Sequence, residues 1–304
     1  MLKRILKSNK VINNYEHEEN QYINLINDVL LNDEIYIGRN GNTYSIFGTI
    51  MQFSLENNKI PFLTTKKLAW KTCLKELLFF INGNTNNNIL NNQGVHIWDG
   101  NSDPDYLKTR GLDYVDGELG PIYGFQWRHF NANYIDCNAD YTNSGIDQLQ
   151  YIIDCLKDPI QRKSRRLILT AWNPCQLDKM ALPPCHILCQ FNVSGENKLS
   201  CHLYQRSGDI GLGVPFNIAS YSMLTYIIAK HCDLVPYEFI YSLGNVHIYD
   251  DHVSGLKELM SRKPFEFPNF EVINKHNSID DYNVNDFKLT NYNYHNTINL
   301  NMRK

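Results

Sequence analysis

The sequence predicts an α/β protein in the broad, α+β sense, a mixed and mainly antiparallel sheet covered by helices. Three observations predict it. Apolar residues recur at helical spacing in several segments, period-two alternation marks others between them, and Gly195-Glu-Asn197 joins two of the alternating segments as a hairpin.

Taken in order, residues 18–31 carry Ile23, Ile26, Val29 and Leu30 at helical spacing and stop at a polar cluster, which predicts an amphipathic surface helix. Residues 68–81 are apolar around most of the helix circumference and end at Asn82-Gly83-Asn84, a capped stop that places Glu76 on a largely buried helix. From 94 to 141 the chain turns to Gly, Asp, Asn and aromatics without periodicity, and long irregular loops of this kind usually carry function. A helix over 146–157 is followed by 167–172, whose continuous apolar run predicts a strand buried on both faces. Residues 187–193 and the alternating Leu199, Cys201 and Leu203 form the hairpin, with Ser200, His202, Tyr204 and Arg206 sharing the opposite face. Pro215 opens an almost wholly apolar helix to His231, and 239–249 alternates again.

Composition narrows the class. A chain of 304 residues buries roughly three quarters of its unfolded surface, so a core needs neither disulfides nor metal. The net charge of −3 argues against the basic field that non-specific nucleic-acid binding needs. Eight cysteines without a CxxC pair suit reduced thiols in the cytoplasm, and no metal is expected. No run of roughly 18 apolar residues predicts a membrane span, and the basic start lacks the apolar stretch of a signal peptide. Without a linker or internal repeat, 1–304 reads as one domain, its first twenty residues an extension that no motif covers.

Several groups of residues invite chemistry. Cys185, after two prolines and beside His186, is either a nucleophile or a small core hydrophobe. Gln205, Arg206, Ser207 and Asp209 at one strand end suit an anion and a polar ring, and otherwise make a salt-bridged turn. Arg165 and Arg166 adjoin and need a dianion to be more than a solvated corner. Asn217 on an apolar helix must satisfy both ends of its amide, which uracil does at N3–H and O4. Glycines 208, 211 and 213 fit neither GxGxxG nor a P-loop.

In order along the chain stand Ser45-Ile-Phe-Gly48, Phe62-Leu-Thr-Thr-Lys66, Glu76-Leu-Leu-Phe-Phe80, Ile97-Trp-Asp99, Gly120-Pro-Ile-Tyr-Gly-Phe-Gln-Trp-Arg128, Ser164-Arg-Arg166 and Ala181-Leu-Pro-Pro-Cys-His186. Cys201-His-Leu-Tyr-Gln-Arg-Ser-Gly-Asp209, Gly213-Val-Pro-Phe-Asn-Ile-Ala-Ser-Tyr221 and Val246-His-Ile-Tyr249 follow. From about Tyr22 onward this resembles the folate-dependent thymidylate synthase family; the insertion over 102–116 and Asn101 resemble its eukaryotic branch, and with no reductase domain read ahead of it the monofunctional form is expected.

The resemblance implies that family's fold, with a sheet face packed at a homodimer interface, and reductive methylation of dUMP to dTMP with 5,10-methylenetetrahydrofolate as co-substrate. It implies Cys185 as nucleophile at uracil C6, with Glu76, Tyr123, His186, Asp209 and Asn217 completing the catalytic set. It makes Arg39, Gln205, Arg206, Ser207, Asn217, His247 and Tyr249 dUMP ligands, Asp209 a contact to both ligands, and Arg165 and Arg166 phosphate ligands given by the partner subunit. Trp98, Asn101, Leu212, Gly213 and Phe216 would line the folate site.

Four departures stand out: Arg39-Asn-Gly-Asn-Thr43 is one residue shorter than the family loop, and Asn245 replaces an Asp. Tyr294-His295-Asn296 replaces Pro-His-Pro, and Arg303-Lys304 ends the chain. Other readings are a pyrimidine hydroxymethylase, a catalytically impaired nucleotide- or RNA-binding regulator, and a Cys185/His186 hydrolase. Asn217 opposes the first. Divergence of adjacent strand side chains opposes the last.

Overall fold

The computed structural model describes residues 17–32, 34–38 and 41–303. The first helix, α1 (Asn20–Leu30), buries Tyr22, Leu25, Ile26 and Val29 at the predicted spacing, with Ile23 and Leu30 at the edge of that face. Strands β1 (Ile35–Gly38) and β2 (Gly41–Ser54) follow; the motif at Ser45 was legible, but a 14-residue strand was not. Helix α2 (Trp70–Ile81) ends where Gly83 takes a φ of 70°, a left-handed value that glycine adopts without strain.

Helix α3 (Asn88–Asn91) precedes the expected irregular stretch, which holds three short helices: α4 (Asp99–Ser102), α5 (Pro104–Thr109) and α6 (Tyr123–His129). Asp103 caps α5 through the backbone N–H groups of Asp105 and Tyr106, with Pro104 in the first turn. Next come α7 (Gln148–Lys157), β3 (Ile168–Thr170), β4 (His186–Ser194), β5 (Lys198–Asp209), α8 (Gly213–His231), β6 (Val235–Tyr249) and α9 (Val253–Met260), then the small pair β7 (Asn269–Val272) and β8 (Phe287–Thr290).

Among the described residues, the main sheet has the order β1-β2-β6-β5-β4-β3, antiparallel throughout except for β5 against β6. That exception comes from α8, which carries the chain back so that β6 starts at the same end as β5. Its register sets Ser207 beside Asn245 and Asp209 beside His247. Two segments predicted to be separate motifs thus meet at one strand end.

The expectation of a strand buried on both faces over 167–172 is corrected. β3 has three residues and lies at the sheet edge, where Leu169 is buried and Ile168 is 43% exposed. Its apolar run reflects one buried face together with Leu167 and Ala171, buried in the flanking loops.

Helix α8 is apolar around its circumference because it is enclosed, with α2 on one side and strands β5 and β6 on the other. The opposite face of the sheet is open. Across it run Ile50, Ser242, Tyr204 and Leu188 in one register line and Gln52, Ile240, His202, Gln190 and Ile168 in the next. Ile50, Tyr204, Ile168 and nearby Phe47 remain exposed there.

Candidate active site

The loop before β4 delivers Cys185, and the neighbouring strand β5 delivers Arg206 to it. The Arg206 N–H donates to the Cys185 carbonyl at 2.8 Å, Nε to the Pro184 carbonyl at 2.8 Å and Nη2 to the Pro183 carbonyl at 2.9 Å. The two prolines therefore serve as acceptors that clamp the guanidinium, leaving Nη2 3.8 Å from Cys185 Sγ. Burial pushes the thiol up from its ordinary value, against the pull of Arg206 and of the Tyr123 hydroxyl. Arg206 and Tyr123 thus assist ionisation of the thiol without outweighing its burial.

Tyr123 opens α6, and its hydroxyl accepts the Cys185 N–H at 2.8 Å. Its ring stacks on His186 with centroids 4.0 Å apart. His186 turns away from the thiol: Nδ1 bonds the Tyr221 hydroxyl at 2.7 Å, and burial lowers the imidazole to about 3. A neutral ring committed to Tyr221 cannot serve as the base of a Cys185 hydrolase.

On the other side of Tyr123, Trp98 Nε1 donates to Glu76 at 2.7 Å, and desolvation raises the Glu76 carboxyl to about 7 despite that bond. A carboxyl poised there is suited to proton transfer at neutral pH. Because the fold raises this pKa, the native state holds the proton more tightly than the unfolded chain, so stability falls as pH rises from 4.5 through about 7. The Glu76→Gln variant is accordingly expected to melt higher than the parent at pH 8, by roughly 2–3 kcal/mol of stability, while losing turnover about 10²-fold or more. Denaturation and rate measured at pH 6 and pH 8 check both halves.

The second half of the site lies one strand turn further on. Asp209 Oδ1 accepts the Gly211 N–H at 2.8 Å, and a Cβ built on Gly213 would stand 3.9 Å from Asp209 Cβ and 3.8 Å from Asn217 Oδ1. Asp209 and Asn217 therefore flank the start of α8, where Leu212 and Phe216 also lie. Among the described residues no hydrogen bond engages the Asn217 amide, which leaves both of its ends open to a ligand. Gln205 is buried, donating to the Ser207 carbonyl at 2.8 Å and accepting from the Tyr241 hydroxyl at 2.7 Å, which fixes the strand that presents Arg206 and Ser207.

His247 and Tyr249 share a face of β6 with rings 5.3 Å apart, and His247 Nδ1 meets Asn245 Oδ1 at 3.1 Å. Asn245 thus keeps a hydrogen bond to His247 without adding a charge. Burial lowers the His247 imidazole, outweighing the attraction of Asp209.

Contacts chain Glu76, Trp98, Tyr123, His186, Cys185 and Arg206 into one cluster, and β5 joins it to the Asp209, Asn217 and His247 cluster. Asn101 follows on α4, its N–H bonded to the Trp98 carbonyl at 3.0 Å. Arg165 and Arg166 are not brought there. Exposed at the sheet edge, they sit near Gln190, whose side chain donates to the Arg165 carbonyl at 3.0 Å. That is five residues, or roughly 17 Å of strand, from Cys185. Arg39 lies outside the described residues, as do residues 1–16 of the N-terminal extension and Lys304.

Three buried residues of the site had no role in the sequence reading. Lys66 donates to the Gly211 carbonyl, and burial lowers its amine to about 8 against the pull of Asp209. Tyr221 lies one helical turn after Asn217, a spacing that puts both on one face. His252 is three residues beyond Tyr249 and fully buried. The insertion also acquires a place: the Tyr114 hydroxyl donates to the Lys179 carbonyl at 2.8 Å and Tyr106 to Ala181 at 3.2 Å, bracing the segment that leads to Cys185.

Comparison with known proteins agrees on one family. The family described as thymidylate synthase matches residues 20–304. A thymidylate synthase of equine herpesvirus 2 is 49% identical over 288 residues, covering 94% of this chain and 98% of the viral protein. One of human herpesvirus 8 is 47% identical, covering 94% and 84%. The maize bifunctional dihydrofolate reductase-thymidylate synthase is 50% identical over 289 residues, and this chain spans 54% of its length.

Proposed function

The chain belongs to the thymidylate synthase family, and from that premise we propose that it methylates dUMP to dTMP, consuming 5,10-methylenetetrahydrofolate and releasing dihydrofolate. Cys185, as thiolate, adds to uracil C6 and makes C5 a carbon nucleophile. C5 attacks the one-carbon unit of the folate; the C5 proton then leaves to solvent through waters that Glu76 and Tyr123 organise. Loss of that proton expels tetrahydrofolate from the one-carbon unit and leaves an exocyclic methylene; the tetrahydrofolate then gives this carbon a hydride, becoming dihydrofolate, and cleavage of the C6–sulfur bond expels Cys185 and frees dTMP. No metal takes part.

The clamped Arg206 beside the thiol is the observation that carries this reading. It supplies charge that favours the thiolate and lies next to Ser207, so the phosphate and the reacting carbon are gripped from adjacent residues. Asn217 reads the base, His247 and Tyr249 the ribose, Arg39 the phosphate; Trp98, Asn101, Asp209, Leu212, Gly213 and Phe216 receive the folate. Absorbance of the dihydrofolate formed from 5,10-methylenetetrahydrofolate in the presence of dUMP tests the activity, and pure protein giving no product would overturn it.

The working unit is a homodimer joined across the open sheet face, whose exposed Phe47, Ile50, Ile168 and Tyr204 favour burial against a second copy. Such a partner would bring Arg165 and Arg166, too far from Cys185 in their own chain, to the phosphate. The cytoplasm is the proposed compartment, in keeping with eight free cysteines; among the described residues no helix is long and apolar enough to cross a membrane. Binding of nucleic acid has no support beyond the idea of a regulatory RNA.

Asn217→Asp separates uracil from cytosine recognition. The carboxylate, once protonated, pairs with the cytosine ring and amino group, whereas ionised it meets the uracil O4 with a like partial charge. We expect kcat/KM on dUMP to fall at least about 10²-fold while dCMP becomes a substrate, read by the mass of the nucleotide product.

A further inference from the structure

The last described residues run across the turn between β5 and α8 and meet one buried imidazole there. A Cβ on Gly211 would lie 2.6 Å from His252 Nδ1 and 3.0 Å from Leu300 Cδ1, and one on Gly255 would lie 2.8 Å from Ile298 Cγ2. Two glycines thus make the groove in which residues 298–301 are seated. His252 Nε2 donates to the Asn301 carbonyl at 2.8 Å, so the segment decides which ring nitrogen carries a proton. Nδ1 has no hydrogen bond and stands 3.7 Å from Asp209 Oδ1, with the ring edge-on to Tyr249 at 5.5 Å.

Groups around this ring all bear on its charge. Asp209 faces it from β5 and Asp251 from its own turn, 4.0 Å away, while His247 opposes from β6. Burial works against protonation, but Asp209 and the Asn301 carbonyl outweigh it and hold the imidazole above its ordinary value. The Nδ1 side of the ring thus faces the Asp209 carboxylate across 3.7 Å, as a charge contact and not a hydrogen bond. Were Asn301 to leave, the buried ring would lose its acceptor and the reason to stay charged beside Asp209.

A second tie holds the same segment. Arg303 Nη2 pairs with Asp251 at 3.0 Å and Asp250 at 3.3 Å, its guanidinium lies 5.8 Å from the Tyr249 ring centroid, and the Asn301 amide donates to Asp251 at 3.3 Å.

We propose that His252 is a positioning residue for Asp209, set in place by the Asn301 carbonyl and reinforced by Arg303 on Asp250 and Asp251. It rests on the folate contact of Asp209, one of the two contacts that the resemblance implies for that residue, since the Asn301 segment and the His252 ring meet Asp209 at the Gly211 turn beside Leu212 and Gly213. His252 acts through Asp209, so its loss weakens the folate side of the reaction and spares the nucleotide side.

Four variants, His252→Gln, His252→Ala, Arg303→Ala and Asp209→Asn, test this with dUMP and methylenetetrahydrofolate. We expect His252→Ala to raise the folate KM about tenfold with dUMP affinity within about twofold of the parent. Gln, which keeps only the Asn301 bond, falls between, and Arg303→Ala shifts folate KM in the same direction by a smaller factor. The His252→Ala and Asp209→Asn effects on folate KM should be non-additive, because one acts through the other. Carboxypeptidase should trim the His252→Gln and Arg303→Ala chains faster than the parent, a readout that needs no turnover.

Additive effects, or folate KM and trimming unchanged in Arg303→Ala and His252→Gln, overturn the proposal. Equal losses of dUMP and folate affinity assign His252 a general structural role and overturn it too. Should His252→Ala not fold, the Gln and Arg303 variants decide. A parent protein that makes no dihydrofolate would sink the proposed activity instead, leaving the trimming result to judge the tie.

Discussion

Replacing Cys185 with serine lowers turnover roughly 10³-fold or more, with dUMP still bound. The expectation follows from the loop geometry. Arg206 is held by three backbone carbonyls and keeps its place when the sulfur is exchanged, so the phosphate grip survives while the atom that attacks C6 is gone. A serine hydroxyl has no base to activate it, since His186 is neutral and committed to Tyr221. Steady-state rates and dUMP titration of Cys185→Ser check this, and a variant within tenfold of the parent would remove the covalent step from the account.

Replacing both Arg165 and Arg166 with alanine carries the second large effect. The pair lies at an exposed sheet edge with no carboxylate partner among the described residues, so its removal costs the isolated fold little. If a partner subunit brings both to the dUMP dianion, two charge-assisted contacts vanish, and dUMP binding weakens by roughly 10²-fold or more. Thermal denaturation unchanged beside a dUMP titration shifted that far is the expected pair of results.

How much of this was legible in the sequence varies by element. Helices α1, α2 and α8 declared themselves because their burial follows a helical repeat or surrounds the whole circumference. Strand β2 did not, since its two faces meet α1 on one side and the open sheet face on the other, and its exposed Phe47 and Ile50 break the apolar-polar alternation. The run at 167–172 misled because three buried residues in and beside an edge strand look the same as a central one.

Within the candidate site, short motifs made several residues legible, Lys66 among them, but not what each one meets. Lys66 reaches Gly211 and His252 faces Asp209, both distant in the chain, and local sequence holds no trace of those meetings. The meeting of β5 and β6 is likewise a property of the crossover through α8, not of either strand alone.

The claim on which the rest depends is that one subunit's sulfur works with another's arginines. It is tested by mixing two inactive proteins, Cys185→Ala and the Arg165→Ala/Arg166→Ala double variant, after mild dissociation and reassociation. In a mixed dimer one site holds both defects and the other holds neither, so random pairing of equal amounts restores about a quarter of the parent's activity. Recovery near that value, from partners inactive alone, is the predicted result. If mixing restores nothing while mixed dimers are shown to form, sulfur and arginines belong to a single chain and the account is contradicted.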